Sequence, residues 1–178
     1  HDSYLYLFNM RFLILFIFLL SNYLPLEASD IKNLNIYNKT IKYDNLSFLD
    51  NKNNKLELDR YRGNLILLNF WATWCAPCKK EMPSLDLLQE NKELDNLEIF
   101  PINIGKDSIP KALNFFEDLK IKNLKLYFDN PETLAKKFSL RGIPTSILIN
   151  KEGEEFARIV GSIDFNEEKF INWLKAYN

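Results

Sequence analysis

Residues 65–71 read LILLNFW, an apolar run broken only by Asn69 and lying shortly after Gly63. A strand with one wet face alternates polar and apolar residues. A continuous run of this length instead predicts a strand covered on both faces. Such a strand needs packing partners above and below it, and the rest of the chain supplies them. LEIFPINI (97–104) reads as a second buried strand. IPKALNFFEDLKI (109–121) reads as an amphipathic helix, with a strand following around Leu124–Phe128. NPETLAKKF predicts a helix with Pro131 at its start and Asn130 as its cap. TSILIN and EFARIVG are strands joined by KEGE, a hairpin signal. A final helix, 166–177, is amphipathic through Phe170, Ile171, Trp173 and Leu174. Two short strands, near Leu46–Leu49 and Leu56–Leu58, flank the polar loop DNKNNK. The expected class is α/β, a central mixed sheet with helices on both faces.

A chain of 178 residues suits one domain with a substantial core. Its net charge is −1 and its basic residues are scattered, often beside acids, so it lacks the basic stripe that a phosphate backbone demands. Nucleic acid is not an expected partner. The only histidine is His1, which removes Ser-His and Cys-His catalysis from consideration. Structural zinc wants four ligands, and two cysteines alone do not supply them. A copper carrier of the Sco type needs CxxxC spacing and a distal histidine, and neither is present.

Met10 and Arg11 precede FLILFIFLL, nine unbroken apolar residues, and then SNYLPLEAS. A positive start, an apolar core and a polar region ending in a small residue is the order of a secretory signal. The core is shorter than the ~17–25 residues of a spanning helix. Cleavage after Ala28 is expected, although Leu26 is not the usual small residue three positions back, and residues 1–9 read as upstream sequence. No cysteine stands there to carry a lipid anchor. The competing reading is an uncleaved segment, residues 12–26, that tethers the domain to a membrane. Both readings place the chain outside the cytoplasm, in a periplasmic or other extracytoplasmic compartment. The expected organisation is 1–28 as upstream residues and signal or anchor, 29–43 as an N-terminal extension, and 44–178 as the folded domain.

Both cysteines lie in NFWATWCAPCKKEMP (69–83). Cys75 falls where the buried strand gives way to a helix expected to reach about Asn91, with Met82, Leu85 and Leu88 on one face and a kink at Pro83. Unpaired N–H groups at a helix start favour a thiolate, and Lys79 and Lys80 add positive charge. A CxxC thiol so placed drops from ~8.5 towards ~7 or below, and the thiolate is the attacking species. Cys78, one turn on, suits the resolving role, and Pro77 restricts the backbone between them. Two inert core cysteines are the alternative, but such cysteines have no reason to bracket a strand-to-helix turn. The pair reads as a redox-active dithiol.

NFWATWCAPCKKEMPSL and RGIPTSILINKEGEE closely resemble the TlpA/ResA group of extracytoplasmic thioredoxin-like proteins, over about residues 44–178 and nearest to TlpA. The stretch between them, FPINIGKDSIPKALNFFEDLKIKNLKLYFDN, resembles that group's central insertion. The resemblance implies a thioredoxin fold with an N-terminal strand extension, a Cys75–Cys78 disulfide, no cofactor beyond that dithiol, and reduction of protein disulfides. It gives Cys75 the nucleophile's role, Cys78 the resolving role and Pro144 the cis-proline position. It places Trp74, Ala76, Pro77, Ile143 and Thr145 on the surface that meets the client, while Trp71 reads as core. Cytoplasmic thioredoxin carries a buried aspartate where this chain has Asn69, which cannot titrate. ResA-like members instead carry a glutamate three residues after the second cysteine, and Glu81 stands there as the implied proton acceptor. The implied partners are exported proteins with cysteine pairs and a membrane electron donor. Copper-handling proteins of cytochrome oxidase assembly are the favoured clients. Cytochrome c maturation is the alternative, but that branch usually has an acidic residue where Thr145 stands. A non-enzymatic module that only holds clients is the reading from another class.

Overall fold

In a computed structural model, residues 31–131 and 133–178 are described. The expected signal or anchor, and the boundary after residue 28, lie outside the described residues. Among the described residues no helix is long and apolar enough to cross a membrane.

Eight strands form one mixed sheet, ordered β1 (Leu34–Lys42), β8 (Glu154–Val160), β7 (Thr145–Ile149), β4 (Leu65–Trp71), β5 (Leu97–Asn103), β6 (Tyr127–Phe128), β2 (Ser47–Asp50) and β3 (Lys55–Glu57). At its centre is β4 (Leu65–Trp71), every residue of it buried, parallel to β5 (Leu97–Asn103) and antiparallel to β7 (Thr145–Ile149). The apolar run 65–71 is therefore the doubly covered strand it predicts. Alternation along β4 sends Leu65, Leu67, Asn69 and Trp71 to one face and Ile66, Leu68 and Phe70 to the other. The first face meets α1 (Ala76–Gln89) through Asn69 and α2 (Ile109–Asp118) through Trp71, whose ring stacks on Phe115 at 4.8 Å and Phe116 at 5.5 Å. The second face joins a cluster of Phe48, Leu58, Phe100, Ile102, Phe138 and Leu134, the last from α3 (Thr133–Lys137). Helices thus cover both faces, as expected.

The N-terminal extension is real structure. β1 (Leu34–Lys42) pairs antiparallel with β8 (Glu154–Val160), across a bulge between Ile36 and Ile41. Its tyrosines fasten it: Tyr37 and Tyr43 donate to the two oxygens of fully buried Glu155, at 3.0 and 2.8 Å. Arg158 forks onto the same carboxylate at 2.8 and 3.1 Å. Burial, then the hydrogen bond to Glu155, pushes Tyr43 up to about 12.

The insertion consists of α2 and the strand β6 (Tyr127–Phe128), which joins β5 to the outlying hairpin of β2 (Ser47–Asp50) and β3 (Lys55–Glu57). Several boundaries differ from expectation. The strand expected over 124–128 is only two residues long, because Leu124 is tied to α1 instead: its N–H donates to Asp86, as do those of Lys122 and Asn123. Leu58 opens a short 3-10 helix, Leu58–Tyr61, rather than closing β3. The last helix, α4, is Glu168–Lys175, shorter than 166–177. Asn130 does not cap α3. Asp129 does, accepting from the N–H groups of Thr133, Leu134 and Ala135 at 2.8–2.9 Å. Pro131 follows a cis peptide and lies two residues ahead of the helix. Pro83 is accommodated within α1, and the helix runs through it to Gln89.

Candidate active site

The dithiol sits where β4 ends. After Trp71 the chain turns through Ala72–Trp74, and Cys75 is the N-cap of α1: its Sγ accepts the Cys78 N–H at 3.2 Å. A cysteine sulfur thus occupies the position where a capping oxygen normally satisfies an orphan N–H, and where the helix dipole favours negative charge. Cys75 and Cys78 are joined as a disulfide, with Cα atoms 5.3 Å apart. Cys78 is fully buried, and Cys75, 4% exposed, is the more open of the two. Ala76, Pro77, Lys79 and Lys80 are exposed around them. Trp74 stands 67% exposed, an unusual setting for so large an apolar ring, while Trp71 is wholly buried.

Glu81 lies one turn beyond Cys78 and is 2% exposed, far from the solvated surface a helix glutamate ordinarily occupies. Burial pushes its carboxyl up to about 8, against the Asn69 amide, which donates to Oε1 at 2.8 Å, and the weaker influence of the Ile163 N–H. No hydrogen bond reaches Oε2. A carboxyl group in this state titrates where thiols exchange, so it can accept a proton or return one.

On the neighbouring strand the register sets Phe70 against Thr145, placing Pro144 beside Trp71 at the end of the sheet from which the dithiol loop departs. The Ile143–Pro144 peptide is cis, and the Pro144 carbonyl accepts from the Gly161 N–H at 2.9 Å. Ile143 is half-buried. Thr145 differs from its neighbours: it is 3% exposed and its hydroxyl donates inward to Gly142 O at 2.8 Å, so its side chain is turned from the surface assigned to a client.

Residues not singled out in the sequence complete the site. Asp107, from the loop after β5, accepts the Thr73 N–H at 2.9 Å and the Thr73 hydroxyl at 2.6 Å, together with Asn103 Nδ2 and Lys111 Nζ. Burial opposes its charge, but these four donors outweigh it and hold Asp107 at about 2. The loop carrying Trp74 into Cys75 is thereby fastened to the insertion. Gly105 lets the two loops meet: a Cβ there would stand 2.5 Å from Ala72 Cβ and 3.1 Å from Trp74 Nε1. Ser146, buried on β7, accepts from Asn69 Nδ2 at 3.0 Å. A contact 34 residues away in sequence has no local signal, and a lone Gly or Asp in a loop announces nothing.

The AhpC/TSA family matches residues 39–154. The thiol-disulfide oxidoreductase ResA of Bacillus subtilis (strain 168) is 30% identical over 114 residues, 64% of this chain and 63% of that protein. ResA of Bacillus cereus (strain ATCC 10987 / NRS 248) is 30% identical over 131 residues, 74% of this chain and 73% of its own. Among solved structures, StoA from Bacillus subtilis superposes with a TM-score of 0.61 at 23% identity, covering 72% of this chain and 95% of StoA. A thioredoxin-family thiol:disulfide interchange protein from Chlorobium tepidum TLS gives 0.63 at 23% identity, over 78% and 99%. These superpositions show the thioredoxin-like fold.

Proposed function

Since the chain belongs to the AhpC/TSA family and within it to the ResA-type thiol-disulfide oxidoreductases, we propose that it reduces disulfides of exported proteins through Cys75 and Cys78. The carrying observation is the dithiol at a helix N-cap with a buried carboxyl one turn behind it. In the reduced protein the Cys75 thiolate attacks one sulfur of the client disulfide, and the other client sulfur leaves as a thiolate. Cys78 then attacks Cys75 Sγ, releasing the second client sulfur and forming the Cys75–Cys78 disulfide. Glu81 takes the proton that Cys78 must lose. Two electrons and two protons from a membrane donor return the dithiol. Pro144 and Ile143 supply backbone beside the dithiol for a client strand, and Trp74, Ala76 and Pro77 the exposed surface it lies on. Thr145 contributes through its main chain.

The extracytoplasmic setting rests on the order of residues 10–28, and the clients on the resemblance to TlpA: proteins whose cysteine pairs receive copper. Thr145, turned inward and uncharged, favours this over cytochrome c maturation. The test is turnover of a disulfide-bridged client peptide, either copper-site or CxxCH, by the reduced protein, with Cys75→Ser as control. Loss of turnover in Cys75→Ser with preference for the copper-site peptide is expected. Client retention by Cys75→Ser, with no turnover by either protein, would make the chain a binding module.

A further inference from the structure

The dithiol opens onto a surface with an apolar centre. Trp74 is 67% exposed, Ala76 and Pro77 are exposed beside Cys75, and Ile143 is half-buried on the neighbouring loop. The charges around that centre are one-sided. Lys79 and Lys80 are exposed in the first turns of α1, about 6 and 7.5 Å of helix rise behind Cys75. The Lys79 N–H donates to the Cys75 carbonyl at 3.0 Å. Helical side chains lean toward the N-terminus of their helix, so both lysines lean toward the dithiol. Arg141 is exposed two residues ahead of Ile143, on the loop that delivers the cis Pro144. Among the described residues, no carboxylate forms an ion pair with any of these three cations.

The acids of the flanking segments are paired, buried or set back. Asp107 is held by its four donors, with its side chain 2% exposed, and Glu81 is buried. Asp129, after β6, is 4% exposed and caps α3. The chain after β8 carries Asp164, Glu167 and Glu168, all exposed. That chain has already run back along α1: the Phe165 N–H donates to Ser84 Oγ, nine residues or about 14 Å of helix rise past Cys75. Lys106, beside Gly105, is engaged in an interaction of its own and is left out of the rim. A chain of net charge −1 thus keeps three unpaired cations around its reactive sulfurs.

Such a rim complements carboxylates. We propose that Lys79, Lys80 and Arg141 select clients whose cysteine pair is flanked by aspartate or glutamate, with an apolar residue between them for Trp74. This rests on the reading that the chain reduces protein disulfides, and names the substrate class within it. Exposed charges of one sign act mainly on encounter. They speed the approach of an acidic segment and slow that of a basic one, and salt weakens both effects, the screening length falling from about 10 Å at 0.1 M to about 3 Å at 1 M. The two lysines also favour the Cys75 thiolate, but that benefit reaches every client alike and confers no preference.

The experiment gives the reduced full-length chain two synthetic peptides. Both carry the same disulfide-bridged cysteine pair and the same apolar neighbour; one is flanked by three glutamates, the other by three lysines. At about 20 mM salt the acidic peptide should be reduced about tenfold faster in second-order rate, and at about 1 M salt the two should agree within about twofold. Lys80→Glu combined with Arg141→Glu should slow the acidic peptide several-fold and speed the lysine peptide. Neither a damaged fold nor a weaker thiolate produces that exchange of preference, since each slows both peptides. Equal rates at low salt overturn the inference and leave disulfide reduction standing. So does a preference for the acidic peptide that neither salt nor the double variant changes, because the rim is then not its source. Reduction of neither peptide overturns both the inference and the reading it rests on.

Discussion

Replacing Glu81 with Gln should stabilise the oxidised protein, increasingly so as pH rises. In the unfolded chain this carboxyl titrates at 4.5; in the fold, burial pushes it up to about 8. Between those values the folded state holds a proton that the unfolded state has released, so stability falls as pH rises. The slope is about 1.4 kcal/mol per pH unit, making the loss about 3 kcal/mol by pH 7 and about 5 kcal/mol above pH 8. Below about pH 4.5 both states are protonated and nothing is lost. Gln is nearly isosteric, still accepts the Asn69 amide through Oε1, and carries no titrating proton. Other shifted groups act in separate windows: Asp107 stabilises above 3.8 and loses that stabilisation as pH falls through about 2, while Tyr43 and Tyr127 act between 10 and about 12. Urea unfolding of both oxidised proteins at several pH values, followed by circular dichroism, reads the difference. The variant's advantage should be under about 1 kcal/mol near pH 5 and several kcal/mol at pH 8. A difference between the two proteins that does not change with pH would show that Glu81 keeps its unfolded-state pKa, and would refute the reasoning.

Brief alkylation of the reduced protein should label Cys75 before Cys78, because Cys78 is fully enclosed; mass spectrometry of the labelled peptides decides it, and faster labelling of Cys78 reverses the roles. Asp107→Ala should cost about 2–3 kcal/mol, since it leaves the Thr73 N–H and the Asn103 amide without their acceptor, and client turnover should drop as the loop bearing Trp74 loosens. Asp129→Ala should cost about 1–2 kcal/mol in urea unfolding through loss of the α3 cap, whereas Asn130→Ala should be neutral within about 0.5 kcal/mol. Tyr43→Phe should destabilise by about 1–2 kcal/mol, because it removes a donor from the buried Glu155 carboxylate; equal stability would mean that Tyr37 and Arg158 satisfy that carboxylate without the Tyr43 hydroxyl.

The central sheet was legible because its physics is local: seven buried residues in a row have few other uses. The dithiol was legible for the same reason, its two sulfurs and the helix start lying within four residues. Glu81 was different. Its position alone reads as a solvated helix glutamate, and only the resemblance raised it; burial comes from the contact of α1 with Asn69, twelve residues earlier. Asp107 and Ser146 left no trace, because each acts on a residue far away in sequence. Asp129 and Asn130 are both good cap residue types, so the sequence does not choose between them; the choice shows only where Asp129 reaches the Thr133, Leu134 and Ala135 N–H groups. Strand 124–128 is shortened because Asp86 claims the Leu124 N–H with those of the two residues before it, a competition between helix and sheet that apolar patterning does not register.

Gly105 has a consequence for anyone reading this protein through a mutational library. Any Cβ at that position meets Ala72 at 2.5 Å and the Asp107 carboxylate at 2.8 Å. Real Cβ atoms do not stand so close to their neighbours, so the loop after β5 and the loop before Cys75 would have to part. A selection for activity would then reject every substitution there, including alanine. In such a map Gly105 would rank with the cysteines although it carries no chemistry, and the variants it loses would be folded proteins with a displaced Trp74. Intolerance at this site measures the tightness of a joint, and a purified Gly105→Ala protein that unfolds normally but turns over slowly is its signature.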